Sequence, residues 1–282
     1  MNKKFVQELT VTETEAKGRL DVFVAEKYGI TRSAAQKLAE SGRVKVNGAS
    51  RKSNFKLKMG DRVSLMQFVR EEATLDIPII YEDKDVIVID KPAGITVHPA
   101  PGEKELTLSE VLPQPVFVVH RLDKGTSGVM VFARNEKAAA HLKKQFHDRL
   151  VTKVYKALVG GIIKENSGSI DISLGRSLTA RGKIIPTENG RGAVTDFKVI
   201  KRFTDSTLVE AMPKTGRTHQ IRTHFAAIGH PLLGDVRYGG SGGGRVFLHA
   251  FSLAFVNPVT GKRQEFISPL PTQLTDILST LS

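Results

Sequence analysis

Leu20, Phe23, Val24 and Tyr28 recur at helical spacing after Gly18-Arg19, and the run stops at Gly29, a residue suited to ending a helix. Thr31 is placed to cap a second helix, TRSAAQKLAESG, which closes at Gly42. The period then changes: Val44-Lys45-Val46 reads as a short strand running into the turn dipeptide Asn47-Gly48, and a second strand over 61–65 follows Lys58-Met59-Gly60. Two short helices and a small hairpin predict a compact unit near the N-terminus.

Residues 66–78, with Arg70-Glu71-Glu72 and a closing Pro78, look like a linker. The domain reading is 1–69, a linker at 70–78, and a larger domain over 79–282. In the larger part, apolar runs suggest strands at 85–90, 115–120, 129–134, 152–160, 169–174, 193–201, 206–212, 246–256 and 263–267. Helices fit 135–149, where Ala139, Leu142 and Phe146 share a face, a stretch near 217–229, and 271–281. Many strands and few helices, without regular alternation, favour an α+β fold with a largely antiparallel mixed sheet over a doubly wound one, beside a small N-terminal α/β unit.

The 282 residues carry 40% hydrophobic side chains, a globular proportion, and no apolar run approaches the ~20 residues of a membrane-spanning helix. The polar start, MNKKFVQELTVTETEAKG, does not resemble a secretory signal, so a cytoplasmic protein is expected. The absence of cysteine removes disulfides, thiolate metal sites and thiol nucleophiles.

Charge changes this picture. The formal net charge is +13, and residues 1–69 hold 14 Lys+Arg against 7 Asp+Glu, a net +7 over a quarter of the length. Such an excess points to a polyanionic partner, with an ordinary solvated surface as the alternative. Arg19, Arg32, Lys37, Arg43, Lys45 and Lys52 are candidates to line one basic face. The segment 18–65 resembles the S-four-type RNA-binding domain, through Arg-Leu-Asp opening its first helix, Thr-Arg-Ser opening its second, Gly-Arg-Val-x-Val-Asn-Gly and a closing Gly-Asp-x-Val. That resemblance implies docking of structured RNA through the second helix and the loop after it.

Candidate chemistry lies further along. The run Gly239-Gly240-Ser241-Gly242-Gly243-Gly244 lacks the GK[ST] ending of a phosphate loop and dinucleotide spacing, so it reads as a mobile surface loop and no nucleotide cofactor is expected. His219, His224, His230 and His249 cluster late, but no HExxH occurs, so packing or RNA contact is expected rather than a metal. His120-Arg121-Leu122-Asp123-Lys124-Gly125-Thr126-Ser127-Gly128 lies between the apolar segments VFVV and VMVFAR, which places a polar loop at a sheet end on rigid supports. Asp123 there is a candidate catalytic carboxylate, or alternatively a cap for its own turn. Gly216-Arg217-Thr218-His219-Gln220-Ile221-Arg222-Thr223-His224 concentrates donors; on a helix Thr218, Ile221 and Arg222 share a face, so Arg222 can point inward where Arg217 and His224 need not. An inward guanidinium requires an anion, and a paired arginine favours the ionised form of a sheltered carboxylate. Asp123 is a candidate partner, although both residues as ordinary surface charges stay open.

These stretches together resemble the RluA-type family of RNA pseudouridine synthases, over about residues 79–270. The motifs are HRLDKGTSG, Thr152-Lys153-Val154-Tyr155-Lys156-Ala157-Leu158-Val159-Gly160, GRTHQIRTHFAAIGHPLLGD and Phe247-Leu248-His249-Ala250, with DKPAGITVHP before them. The resemblance implies that Asp123 is the catalytic aspartate, Tyr155 the active-site tyrosine and Arg222 the arginine paired with the aspartate. It implies further that Arg121 helps displace the target base and that Leu248 packs on the uracil, with Arg217 and His219 as substrate contacts. The implied reaction moves uracil from a nitrogen to a carbon-5 bond on its ribose, without redox step, metal or cofactor. The partner implied is RNA, most of all large-subunit ribosomal RNA, with transfer RNA as an alternative, bound by a protein expected to be a monomer. A noncatalytic RNA-binding or ribosome-assembly factor and a base-releasing nucleosidase are the rival readings.

Overall fold

The computed structural model describes residues 3–69, 76–99, 106–180, 182–242 and 244–282. The chain divides into two compact units, Met1–Thr74 and Leu75–Ser282.

In the first unit β1 (Lys3–Thr10) precedes α1 (Leu20–Tyr28), α2 (Arg32–Glu40), β2 (Val44–Val46), β3 (Ala49–Ser50) and β4 (Arg62–Val69). Gly29 ends α1 in the left-handed conformation, φ 62°, and the Thr31 hydroxyl accepts the Ala34 N–H at 3.3 Å to open α2. The sheet order is β1-β4-β2-β3, antiparallel throughout. Leu20, Phe23 and Val24 of α1 pack with Ala35, Val44, Val46, Val63 and Leu65 in one core. Two expectations are corrected here. The strand expected over 61–65 continues to Val69, and 66–69 are strand instead of linker, because β1, which the sequence reading did not anticipate, pairs with β4 along its whole length from Lys3↔Val69 to Thr10↔Arg62. Of the expected linker 70–78, residues 70–75 lie outside the described residues.

The second unit is built on a ten-stranded, mostly antiparallel sheet. Its elements are β5 (Ile79–Glu82), β6 (Val86–Lys91), α3 (Leu108–Val111), β7 (Phe117–Val118), β8 (Ser127–Ala133), α4 (Glu136–His147), β9 (Thr152–Gly160), β10 (Ser167–Asp171), β11 (Leu174–Arg176) and β12 (Ile184–Pro186). β13 (Val194–Arg202), β14 (Ser206–Pro213), α5 (Gln220–Ala227), β15 (Leu248–Val256), β16 (Arg263–Ile267) and α6 (Thr272–Ser279) follow. The strand order is β10-β13-β14-β9-β15-β8-β6-β5, with β16 on β15 and β7 on β8; β11 and β12 form a separate pair. The strand expected over 169–174 therefore divides at 172–173, where the chain leaves the large sheet for the small one. The strand expected over 115–120 shrinks to Phe117–Val118, since only those two residues pair with β8.

β6 and β8 are apolar on both faces because both faces are covered. Val86, Val88, Val129 and Val131 pack beneath Ala138, Ala139 and Leu142 of α4, while Ile87, Ile89, Met130 and Phe132 face a second core with Leu108 and Leu122. On the other half of the sheet, Ile221 and Phe225 of α5 pack on Ala157, Val159, Val209 and Ala211. The two halves meet where β15 runs parallel to β8, through His249↔Ser127 and Ala250↔Gly128. Gly128 has φ 113°, and a Cβ there would lie 2.2 Å from the Ala250 carbonyl oxygen, so this junction closes only on glycine.

Candidate active site

The loop entering β8 is held from below. Leu122 is buried in the core, the Thr126 N–H closes a turn on the Asp123 carbonyl at 3.0 Å, and the Gly94 N–H reaches the Lys124 carbonyl at 2.7 Å. Lys91, fully buried, donates from Nζ to the carbonyls of Thr126 at 2.8 Å and Pro92 at 2.9 Å. Burial and the nearby Arg245 charge push that ammonium down to about 7. The turn is thus closed by main chain, leaving the Asp123 side chain to face the cavity above it.

α5 supplies what meets Asp123. Its start is later than the expected 217–229 helix, because Arg217–His219 form a turn ending with His219 at φ 53°. The buried Gln220 side chain fixes that turn, accepting from Thr215 Oγ1 at 2.6 Å and from the Arg217 N–H at 3.0 Å while donating to the Val194 carbonyl at 2.9 Å. Thr218 consequently lies outside the helix and is exposed, so it does not share an inward face with Ile221 and Arg222. His224 is buried, with Nε2 at 3.1 Å from the Ile172 carbonyl, so it points inward as Arg222 does.

Arg222 approaches Asp123 Oδ2 with Nη1 at 3.3 Å, and binds Asp235 in fork geometry, Nε to Oδ2 at 2.7 Å and Nη2 to Oδ1 at 2.8 Å. Burial opposes the guanidinium's charge, and the contacts with Asp235 and Asp123 together outweigh it, so the group is raised and stays cationic. Its face lies over Tyr238, 5.0 Å from the ring centroid. The Ile184 N–H donates to the Tyr238 hydroxyl at 3.1 Å, so the phenol proton is assigned to His219 Nδ1 at 2.7 Å, which turns Nε2–H toward Asp123 Oδ2 at 3.8 Å. Burial lowers His219, keeping the ring neutral.

One cavity of about 1040 Å³ is lined by Arg121, Asp123, Tyr155, Arg217, His219, Arg222 and Leu248, so all seven candidates of the larger unit meet there. Tyr155 comes from β9 and Leu248 from the start of β15; burial, then the Asp123 charge, raises the Tyr155 phenol and keeps it protonated. The set is a carboxylate braced by a guanidinium, an aromatic ring and an apolar contact around a space of ligand size. Among the described residues no group of three or more His, Cys, Asp or Glu is placed to hold a metal ion. None of their helices is long and apolar enough to cross a membrane.

The family model described as RNA pseudouridylate synthase matches residues 85–227, and that of the S4 domain matches residues 18–63. The chain belongs to the RNA pseudouridylate synthase family. It is 38% identical to the uncharacterized RNA pseudouridine synthase YlyB of Bacillus subtilis, covering 97% of each chain. It is 34% identical to ribosomal large subunit pseudouridine synthase D of Vibrio vulnificus, over 96% of this chain and 93% of that one. Human RNA pseudouridylate synthase domain containing 1 superposes with a TM-score of 0.62 at 30% identity, covering 73% of this chain and 89% of that chain. Activity as a pseudouridine synthase on RNA, an isomerase with an S4 domain, follows from that membership.

In this synthase several site residues escaped the sequence reading. Asp235 sits at the end of the quoted GHPLLGD motif, but nothing in its spacing announces a partner thirteen residues back. Tyr238 and Gln220 act through hydrogen bonds that carry no periodic signal. Within the glycine run after Tyr238, Gly240 is closely packed, since a Cβ there would lie 1.9 Å from the Leu232 carbonyl oxygen. His230 and His249 pack internally, on the Gly160 and Ser268 carbonyls at 2.8 Å each.

In the S4 domain, Arg19 and Arg32 both bind Asp21, at 2.9 and 3.1 Å. Asp21 is fully buried and also accepts from Gln36 at 2.7 Å. Arg32 and Gln36, both from α2, therefore hold the start of α1 against α2, while Arg19 pairs with Asp21 within the entry to α1. Lys37, Arg43 and Lys52 are exposed and Lys45 is half-buried.

Proposed function

We propose that this synthase isomerises uridine in large-subunit ribosomal RNA with Asp123 as its nucleophile. The observation that carries the reading is the Asp123 carboxylate, open to the cavity and braced by Arg222, opposite Tyr155. In the reaction the bond from ribose carbon 1 to uracil N1 breaks, a bond from the same carbon to uracil carbon 5 forms, and a proton leaves carbon 5 while N1 gains one. Attack by Asp123 on ribose carbon 1 or on the ring serves this outcome equally, and either requires the charged carboxylate. Tyr155, protonated, places the ring against Leu248, and Arg121 at the cavity lip fills the space vacated by the extruded base, whose unstacking costs a few kcal/mol. The S4 domain supplies electrostatic attachment through Lys37, Arg43 and Lys45, with Arg19 and Arg32 beside them. The large-subunit target is supported by similarity to the Vibrio proteins so named across more than nine-tenths of both chains. Action as a monomer, in the cytoplasm where that RNA is made, completes the reading.

Mapping pseudouridines in RNA from cells with and without the protein tests this. Loss at one or more large-subunit positions is expected. Losses confined to transfer RNA would reassign the substrate, and free uracil released by the purified protein would reassign the reaction to a nucleosidase.

A further inference from the structure

Lys153 lies two residues before Tyr155 on β9, so both side chains leave the same face of the strand, and both line the cavity. Its Nζ donates to the Thr215 carbonyl at 3.2 Å. Among the described residues no carboxylate lies within ion-pair distance of it, whereas the neighbouring Lys214 is paired with Asp196 at 3.0 Å and Arg222 has two carboxylates. Burial brings the Lys153 ammonium down to about 8.

Apart from Asp123, the charged side chains lining this cavity are cationic. His120 stacks on Phe146 with centroids 4.5 Å apart and planes 20° apart, and both line the cavity. His120 Nε2 accepts the Val131 N–H at 3.1 Å and burial holds the ring neutral. Arg149, three residues past Phe146 and also lining the cavity, is exposed and has φ 60°, a conformation that non-glycine residues seldom take. No step at Asp123 uses Lys153, His120, Phe146 or Arg149. A half-buried ammonium without a counter-charge is disfavoured until an anion arrives.

We propose that this part of the cavity holds an RNA phosphate flanking the target uridine, bound by Lys153 and Arg149 beside the uncharged His120–Phe146 wall. The inference rests on the reading of the protein as an RNA-modifying enzyme and adds the place where the strand is gripped next to the reacting nucleotide. Two residues of strand separate Lys153 from Tyr155 by roughly 7 Å, the scale of the step from a base to a phosphate of its own nucleotide.

The test is equilibrium affinity for a short large-subunit RNA fragment with one uridine that the enzyme converts, with single uncharged methylphosphonate linkages placed in turn 5′ and 3′ of it. The full chain is used in the Asp123→Asn background, so that affinity is read without turnover. One linkage is expected to weaken binding about tenfold. Lys153→Gln should weaken the unmodified RNA similarly and make that linkage silent, while Lys153→Arg restores the sensitivity. The same loss at that linkage in Lys153→Gln as in the parent protein, or no sensitive linkage at all, would overturn the subsite. Turnover of the unmodified fragment by the wild-type protein, measured separately, reports on the assigned reaction, so the two readings fail independently. Lys153→Met should melt at or above the wild-type temperature, since it removes an uncompensated, half-buried charge; a clear drop would make the lysine structural and overturn the proposal.

Discussion

Arg222 binds Asp235 through two nitrogens, at 2.7 and 2.8 Å, and reaches Asp123 with the third, at 3.3 Å. The arginine is thus fixed by one carboxylate and presented to the other. Asp235 is 1% exposed and Asp123 is a quarter exposed in its side chain, so the first is a support and the second is the group open to substrate.

Asp235→Ala should therefore injure both stability and rate. It leaves a largely buried guanidinium without its main partner, a change worth about 3 kcal/mol, or ~6–12 °C of melting temperature for a unit of this size. Calorimetry together with turnover at a temperature where the variant is folded checks this. An unchanged melting temperature would show that the pair carries little.

Gly128→Ala should destabilise by more than about 3 kcal/mol, because a non-glycine residue is strained at φ 113° and its Cβ would collide with the Ala250 carbonyl. Gly125→Ala is the control, since the atom nearest its added Cβ is a Val246 methyl at an ordinary 3.8 Å. Equal melting temperatures for the two variants would contradict the junction.

The pH dependence of stability should carry a signature of His120, which burial first and Lys153 second push down to about 3 from 6.5. Between those values the unfolded chain binds a proton that the folded chain refuses, so the contribution is fully present above pH 6.5 and is lost as pH falls toward 3. His120→Asn keeps an acceptor for the Val131 N–H and does not titrate. Its melting temperature should fall less than the wild type's between about pH 7 and about pH 4. Parallel curves would mean that His120 is protonated without penalty.

Much of this was legible in the sequence. The HRLDKGTSG and GRTHQIRTH motifs each concentrate their polar residues on one loop or turn at the cavity, which is why Arg121, Asp123, Arg217, His219 and Arg222 are brought together. Runs such as VIVID and VMVFA mark strands because both their faces are covered. Other features depend on contacts between distant segments. β1 has no strand-like alternation and exists through its register with β4. His224 reads as a polar outward residue and is buried because the Ile172 carbonyl is there to meet it. The Arg222–Asp235 fork needs Gly234 at φ 75° and the short helical turn Val236–Tyr238 to bring Asp235 back to α5.

For the S4 domain, the triple replacement of Lys37, Arg43 and Lys45 by Gln in the full chain should reduce the slope of log affinity against log salt by about 2, at ~0.7 per single-stranded phosphate contact. Filter binding across a salt series reads it. An unchanged slope would leave RNA attachment to the synthase domain.

The central claim is that the Asp123 carboxylate performs the isomerisation, and replacing it by an isosteric amide tests this most directly. Asp123→Asn keeps shape and polarity and removes the charge, so pseudouridine formation on purified large-subunit RNA should fall by about 10⁴-fold or more while affinity for that RNA stays within a few-fold. Turnover within about tenfold of wild type by the purified variant would contradict it.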